Sequence, residues 1–116
     1  MKYLIIIIIT GILIAALVYN LRKPSLYGNL DEFAKCLAEK ELTMYGADWC
    51  PHCQNEKNNF GESFQYVPYV ECPDEPQLCI EKGIEDYPTW LLPDGTKFVG
   101  EQGLQKLSEI SNCILP

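Results

Sequence analysis

Two cysteines separated by two residues, Cys50 and Cys53, constrain this chain more than any other feature, because an apolar run precedes them and a polar run follows. The apolar run 42–47 is short enough for a buried strand, and the polar run 54–60 is typical of a helix. Cys50 would then lie at the N-cap of that helix, with Pro51 at its first position, where proline sacrifices no needed hydrogen-bond donor. The sequence therefore predicts a strand, a tight turn and a helix, with both cysteines at the turn.

This placement favours thiol–disulfide chemistry. Unpaired N–H groups at a helix N-terminus favour an anion, and helix N-termini and Cys-x-x-Cys spacing lower cysteine pKa values from about 8.5 to roughly 3.5–7.5. We expect Cys50 to be the exposed nucleophile and Cys53, one turn further on, to be the buried resolving thiol. His52 is either an exposed turn residue or, when cationic, a further stabiliser of the Cys50 thiolate, and its position favours the second role.

A zinc site is the competing interpretation of this motif. Cys72 and Cys79 could supply two further ligands, but the six residues between them do not form a tight second Cys-x-x-Cys knuckle. The strand-to-helix placement of Cys50 also suits redox chemistry better. We therefore expect no metal and no other cofactor, since disulfide exchange requires none.

The N-terminal segment 3–19 carries no charge and is rich in isoleucine. As a helix rising about 1.5 Å per residue it would be roughly 25 Å long, at the short end of what spans a bilayer. A cleaved signal peptide is the alternative, but no A-x-A-like cleavage site follows, which favours an uncleaved anchor. The predicted organisation is an anchor with its flanks at 1–23, a linker at 24–29 and a folded domain at 30–116.

Charge and cysteine content indicate where this domain works. Residues 24–116 contain six Lys and Arg against sixteen Asp and Glu, a formal charge of −10, so we expect no nucleic-acid partner. Positive residues flank both ends of the apolar segment and leave its orientation undecided. Six cysteines in a domain of this size are typical of an oxidising compartment. We therefore expect a single-pass membrane protein with a cytoplasmic N-terminus and an extracytoplasmic domain.

The order of predicted elements indicates an α/β domain with a βαβ unit followed by a hairpin. The hairpin turn is Asp94-Gly95, a strong turn signal between two apolar runs. Strands are predicted at 42–47, 66–71, 89–92 and 97–99, and helices from about 30 to 39 and at 50–60, 77–82 and 103–111.

Three separated segments resemble the thioredoxin fold over about residues 30–113. They are Tyr45-Gly46-Ala47-Asp48-Trp49 leading into the cysteine pair, the Gly83-Ile84 to Pro88-Thr89 segment, and the Asp94-Gly95 turn. The resemblance implies a four-stranded mixed sheet flanked by helices, with Pro88 in the cis form facing the cysteines. It also implies that Tyr87 helps to bind a partner's extended chain. Trp49 either contacts substrate or packs beside the nucleophile, and the sequence leaves both interpretations open.

More narrowly, the segments 44–47, 69–72 and 87–90 resemble the thioredoxin-like domain fused to homologues of vitamin K epoxide reductase. That resemblance implies disulfide exchange with a quinone-linked membrane enzyme. Because a single apolar segment stands where those homologues carry a four-helix membrane domain, we expect a separate membrane partner that is vitamin K epoxide reductase-like or DsbB-like. One residue departs from the wider family, since Met44 occupies the position where thioredoxins usually carry a buried acid.

The resemblance also suggests how the other four cysteines pair. In the thioredoxin fold the first and last helices can lie on the same face of the sheet, which would bring Cys36 close to Cys113. Cys72 and Cys79 flank a short proline-containing loop that a local bridge would fix. We therefore expect these two pairings out of the fifteen that six cysteines allow.

The function these features predict is oxidation of cysteines in exported proteins, with re-oxidation by the membrane partner. An extracytoplasmic reductase or isomerase is the enzymatic alternative. A binding module whose cysteines are all static staples is the alternative from another class.

Overall fold

The computed structural model describes residues 1–21 and 28–116. Of the predicted linker 24–29, only Gly28 and Asn29 fall within these ranges, and the rest of it lies outside the described residues. Arg22 and Lys23, which bear on membrane orientation, lie outside them as well.

The N-terminal helix α1 extends over Lys2–Leu21, twenty residues. Its Lys2–Tyr19 window has a mean hydropathy of 2.4, and none of that window is buried. The helix is therefore long and apolar enough to cross a membrane, although a signal sequence has the same properties. The membrane anchor and the side of the membrane on which the domain lies stay predictions.

The domain contains a four-stranded mixed sheet in the order β2-β1-β3-β4. Strand β1 pairs parallel with β2 and antiparallel with β3, and β3 pairs antiparallel with β4. The parallel pair is the βαβ unit and the last antiparallel pair is the hairpin, so the predicted α/β class and mixed sheet are confirmed. The strands are β1 Thr43–Gly46, β2 Tyr69–Glu71, β3 Thr89–Leu91 and β4 Lys97–Val99.

The helices of the domain lie close to their predicted positions: α2 Asp31–Glu39, α3 Pro51–Phe60, α4 Pro76–Glu81 and α5 Gly103–Ser111. One prediction is wrong. The sequence places the start of the second strand at residue 66, but that residue closes a 3₁₀ helix, Gly61–Tyr66, and the strand begins at Tyr69. The strand begins later because Pro68 has no N–H for the sheet, although its carbonyl accepts the Met44 N–H at 2.9 Å.

An aromatic core fixes α2 and α3 against the sheet. Phe60 at the end of α3 stacks on Phe33 of α2, with ring centroids 5.9 Å apart, and lies 6.4 Å from the indole of Trp90 on β3. All three side chains are at most 2% exposed. Burial of each stabilises the fold by about 2–3 kcal/mol relative to exposure, which secures α3 against the sheet.

Two disulfides join the pairs expected from the sequence. Cys36 on α2 is linked to Cys113 beyond α5, with their Cα atoms 5.9 Å apart, across 77 residues. Cys72 is linked to Cys79 on α4, with a Cα separation of 5.8 Å across 7 residues. Cys50 and Cys53 are left as free thiols.

Candidate active site

Helix α3 begins at the first of the two free cysteines. Cys50 occupies the N-cap in an extended conformation, with Pro51 at the first helical position. Its Sγ accepts the backbone N–H of Cys53 at 3.4 Å, the hydrogen bond that an N-cap side chain makes to a helix N-terminus. A thiolate at Cys50 would strengthen this bond, because N–H donors bind charged acceptors more tightly.

Both cysteines of the pair are buried. Cys53 is fully buried, and Cys50 is 5% exposed, so the expectation of an openly exposed Cys50 is wrong. The loop before β3 helps to cover it, since the Cys50 Sγ lies 3.7 Å from the carbonyl oxygen of Tyr87. The order of burial is nevertheless the expected one, since Cys50 is the slightly more exposed residue.

Gly46 at the end of β1 is a site residue whose role sequence reasoning missed. A Cβ atom at this position would lie 2.8 Å from the Cys53 Sγ and 3.4 Å from the ring of Tyr69. Any side chain there would displace the sulfur, so the absence of a Cβ gives Cys53 its place against the sheet.

Burial determines the proton affinity of Cys53. It raises the pKa of the Cys53 thiol to about 12, with the hydrogen bond to Cys50 as a second cause, while a backbone hydrogen bond at Ala47 and, more weakly, the charge of Lys57 act in the opposite direction. Cys53 therefore stays protonated at neutral pH in the dithiol form.

The loop before β3 completes the surface around Cys50. The Tyr87–Pro88 peptide bond is cis, and the Pro88 carbonyl accepts the Gly100 N–H at 2.7 Å, which ties the loop to the end of β4. Trp49 is 66% exposed and its ring meets that of Tyr87 edge-on at 6.1 Å. The fold thus brings Trp49, Tyr87 and Pro88 to Cys50. The exposure of Trp49 favours its substrate-contact interpretation, whereas Pro88 is fully buried, so its side chain does not form part of the exposed surface that the sequence predicted for substrate binding.

His52 has a partner that the sequence did not reveal. Its Nδ1 lies 3.0 Å from the Oε2 of Glu101, and the His52 side chain is 70% exposed. Glu101 lies 49 residues away along the chain, on the segment between β4 and α5. A cationic His52 would therefore divide its charge between this carboxylate and the Cys50 end of the helix.

Glu56 is a fully buried carboxylate one turn beyond Cys53. Its Oε2 accepts the Trp90 indole N–H at 3.2 Å and the Gln102 N–H at 2.6 Å, and its Oε1 accepts the Gly103 N–H at 2.9 Å. Three donors thus offset its burial. Gln102 and Gly103 lie at the start of α5. Their bonds to Glu56 therefore also hold the start of α5 against α3, the helix that carries the two cysteines.

A zinc site with Cys50 and Cys53 would need Cys72 and Cys79 as thiolate ligands, but these two residues form a disulfide with each other. Within residues 1–21 and 28–116, no cluster of three or more His, Cys, Asp or Glu side chains has a metal-binding arrangement.

Comparison with known proteins supports the redox interpretation. The chain is 38% identical over 91 residues to Thiol-disulfide oxidoreductase LTO1 from Arabidopsis thaliana, a match that covers 71% of this chain and 24% of that protein. It is 29% identical over 93 residues to Thioredoxin domain-containing protein 5 homolog from Drosophila melanogaster, covering 69% of this chain and 22% of that protein. The chain thus spans about a quarter of the length of these curated relatives. No model of a known protein family matches the chain.

These similarities agree with the observed sheet and the cysteine motif. The fold is thioredoxin-like, and the similarity to these two proteins supports a thioredoxin-like oxidoreductase.

Proposed function

We propose that this chain is a thiol–disulfide oxidoreductase that exchanges disulfides through Cys50 and Cys53. One observation carries the proposal: the Cys50 Sγ caps a helix N-terminus, accepts the Cys53 N–H and lies beside the cis Tyr87–Pro88 bond. The helix N-terminus at Cys50 favours a thiolate, and Trp49 and Tyr87, whose rings contact each other beside Cys50, offer a partner chain an aromatic surface.

The exchange proceeds in two displacements. In the disulfide form, a substrate thiolate attacks the Cys50 Sγ, the Cys50–Cys53 bond breaks, and its electron pair leaves on the Cys53 sulfur, which takes a proton. The second thiolate of the substrate then attacks the substrate sulfur that is bonded to Cys50, forms the substrate disulfide and releases Cys50 as a thiolate. The substrate loses two electrons and becomes a disulfide, while the cysteine pair gains them and becomes a dithiol.

The direction we propose is oxidation of the substrate. A hydrogen bond to the Cys50 sulfur stabilises the reduced, thiolate form more than the disulfide, and stabilising the reduced form makes a pair more oxidising. Equilibration with glutathione measures this directly. We expect a potential nearer −120 mV than −270 mV, the approximate values for a strong oxidant and for thioredoxin. A potential near −270 mV would instead support the reductase alternative.

The setting we propose is the outer side of a membrane, with α1 as an uncleaved anchor. Support comes from the length and hydropathy of α1 and from two disulfides in one small domain, which persist in an oxidising compartment. The substrates would be exported proteins, and a quinone-linked membrane enzyme, vitamin K epoxide reductase-like or DsbB-like, would re-oxidise the pair. A membrane-impermeant thiol reagent should label the reduced domain on intact cells, and labelling only after lysis would contradict this setting.

Trapping tests the proposed function. Cys53 can attack Cys50 in a mixed disulfide and release the bound partner as a thiol, both in re-oxidation and when an exchange runs backwards, so Cys53→Ala, which lacks this route, should accumulate partners bound to Cys50. The matched control is the double variant Cys50→Ser/Cys53→Ala, which should trap none. Equal trapping by both proteins would contradict Cys50 as the exchanging thiol, and the identity of the trapped proteins would reveal substrates and membrane partner together.

A further inference from the structure

Lys57 lies on the same face of α3 as Cys53, four residues further along the helix. Its Nζ is 3.9 Å from the ring centroid of Tyr69 on β2 and 5.7 Å from that of Phe64. An ammonium group over an aromatic face is held there by the ring's electron density. The long side chain of Lys57 is thus fixed rather than left to extend into solvent.

The ring that holds Lys57 also borders Cys53. Both groups lie beside Gly46: a Cβ atom placed on this glycine would be 2.8 Å from the Cys53 Sγ and 3.4 Å from the edge of the Tyr69 ring. The Tyr69 hydroxyl in turn donates a hydrogen bond to the Glu71 carboxylate. The other oxygen of that carboxylate accepts the Asp48 N–H at 2.9 Å, so the ring is connected to the turn that leads to Cys50.

The charges around Cys53 leave Lys57 as a source of stabilisation for an anion. Burial, followed by Glu71, raises the pKa of Tyr69, so its phenol stays neutral. The buried carboxylate of Glu56 is bonded to three N–H donors of other elements. Two influences lower the pKa of Cys53 against the effects of burial and of Cys50: a backbone hydrogen bond at Ala47 and, more weakly, the positive charge of Lys57.

We propose that Lys57, held in place by the ring of Tyr69, stabilises the Cys53 thiolate that forms when the Cys50–Cys53 disulfide is opened. This inference rests on the proposed function and deepens it. When a substrate thiolate bonds to Cys50, the electron pair of the broken S–S bond moves to the Cys53 sulfur in a buried site. The Lys57 ammonium compensates that charge until a proton from solvent reaches the sulfur, and a better-stabilised leaving thiolate leaves faster.

The first test measures Cys53 alone. In a Cys50→Ala protein with both structural disulfides intact, Cys53 is the remaining free thiol, and its alkylation by iodoacetamide reports thiolate formation against pH. Adding Lys57→Met should slow alkylation by about 3- to 10-fold at each pH between 7 and 9.5, because a nearby positive charge is lost. Lys57→Arg should retain most of the rate.

Lys35→Met is the matched control, because Lys35 also lies over a tyrosine ring, that of Tyr66 at 4.8 Å, but on α2. It should leave the rate unchanged. Equal rates for the Lys57→Met and unsubstituted Cys50→Ala proteins would overturn the proposal, as would equal slowing by Lys35→Met. Melting curves of each variant ensure that rates are compared between folded proteins.

A pair of substitutions at Tyr69 tests how Lys57 is held. Tyr69→Phe keeps the aromatic face and removes the hydroxyl, so Cys53 alkylation should stay within about twofold of the reference. Tyr69→Leu removes the face and should slow alkylation towards the Lys57→Met rate. Equal rates for the two Tyr69 variants would show that the ring does not position the ammonium, which would overturn that part of the proposal.

The second test uses the intact cysteine pair. Opening of the Cys50–Cys53 disulfide by reduced glutathione should be about 3- to 10-fold slower in Lys57→Met, and the equilibrium constant at pH 7 should change less than twofold, because Cys53 ends protonated. An unchanged opening rate would overturn the role of Lys57 and leave the proposed function standing. A wild-type disulfide that glutathione does not open would contradict the proposed function itself, while the alkylation test would still report on Lys57.

Discussion

The six cysteines of this domain fall into two regions that treat the same side chain in opposite ways. At the start of α3, the Cys50 sulfur accepts a helix N–H, and the charge of Lys57 acts on Cys53. The other four cysteines form two disulfides. One links the segment after α5 to α2, and the other links α4 to the end of β2. The surroundings of a cysteine pair therefore decide whether its disulfide is a reagent or a structural link.

The largest expected effect concerns the first region. Cys50→Ser replaces the nucleophile by a hydroxyl that still caps the helix, so the fold should persist while disulfide exchange with glutathione falls by at least about 10⁴-fold. Stopped-flow or quenched exchange assays measure the rate, and a melting curve checks the fold. Residual exchange near the wild-type rate would mean that another cysteine pair is the reagent.

Removing the Cys36–Cys113 disulfide, the long staple, should lower the free energy of unfolding and leave disulfide exchange at Cys50 and Cys53 intact. The Cys36→Ser/Cys113→Ser variant loses a disulfide that closes a loop of 77 residues. By loop-closure entropy, this disulfide contributes up to about 4.5 kcal/mol to the free energy of unfolding. Denaturant unfolding should show a loss of this order, and exchange per folded molecule should stay within about twofold. Loss of exchange in the still-folded variant would contradict the division between the two regions.

The Cys72–Cys79 disulfide, the short staple, should contribute less to the free energy of unfolding. Cys72→Ser/Cys79→Ser opens a bridge across 7 residues, and the same entropy argument gives about 2.5 kcal/mol. The ratio of the two losses, measured by urea unfolding under identical conditions, sharpens the comparison. A loss larger than that of the long staple would show that the bridge holds β2 and α4 by more than chain entropy.

The smallest expected effect lies at the edge of the reactive region. At about pH 5, where a free imidazole is largely cationic, Glu101→Gln removes the carboxylate that pairs with His52, so the cation should act more strongly on the Cys50 sulfur and make the pair more oxidising. Because this ion pair is largely exposed, its contribution is at most about 1 kcal/mol, roughly a fivefold change in the glutathione equilibrium constant. His52→Gln should shift the constant in the opposite direction. Shifts of the same sign in both variants would contradict a tuning role for His52.

Local patterns explain why much of this fold is readable from the sequence. The apolar run before Cys50 and the polar run after it specify a strand and a helix, and Pro51 marks the helix start. The sequence wrongly predicts a strand at Tyr66, because a single 3₁₀ segment has no distinctive period and the aromatic residues around it favour a strand.

Long-range side-chain contacts could not be predicted in the same way. The Glu56 bond to the Gly103 N–H joins positions 47 residues apart, and the His52 contact with Glu101 spans 49. Neither follows from spacing or periodicity, because both depend on how α5 and the preceding segment pack beside α3. The tight approach of Cys53 to Gly46 likewise emerges only when β1 and α3 are placed together.

The most direct test of the division between reagent and staple is a redox titration that reads all six cysteines in one experiment. The protein is equilibrated with glutathione buffers of graded potential, free thiols are blocked, and peptide mapping reports the state of each cysteine. We expect Cys50 and Cys53 to titrate together as one two-electron pair, while Cys36 stays linked to Cys113 and Cys72 to Cys79 throughout the range. A Cys50–Cys53 disulfide that stays oxidised alongside the other two, or a structural disulfide that titrates with it, would show that the cysteines do not divide into a reactive pair and two structural pairs.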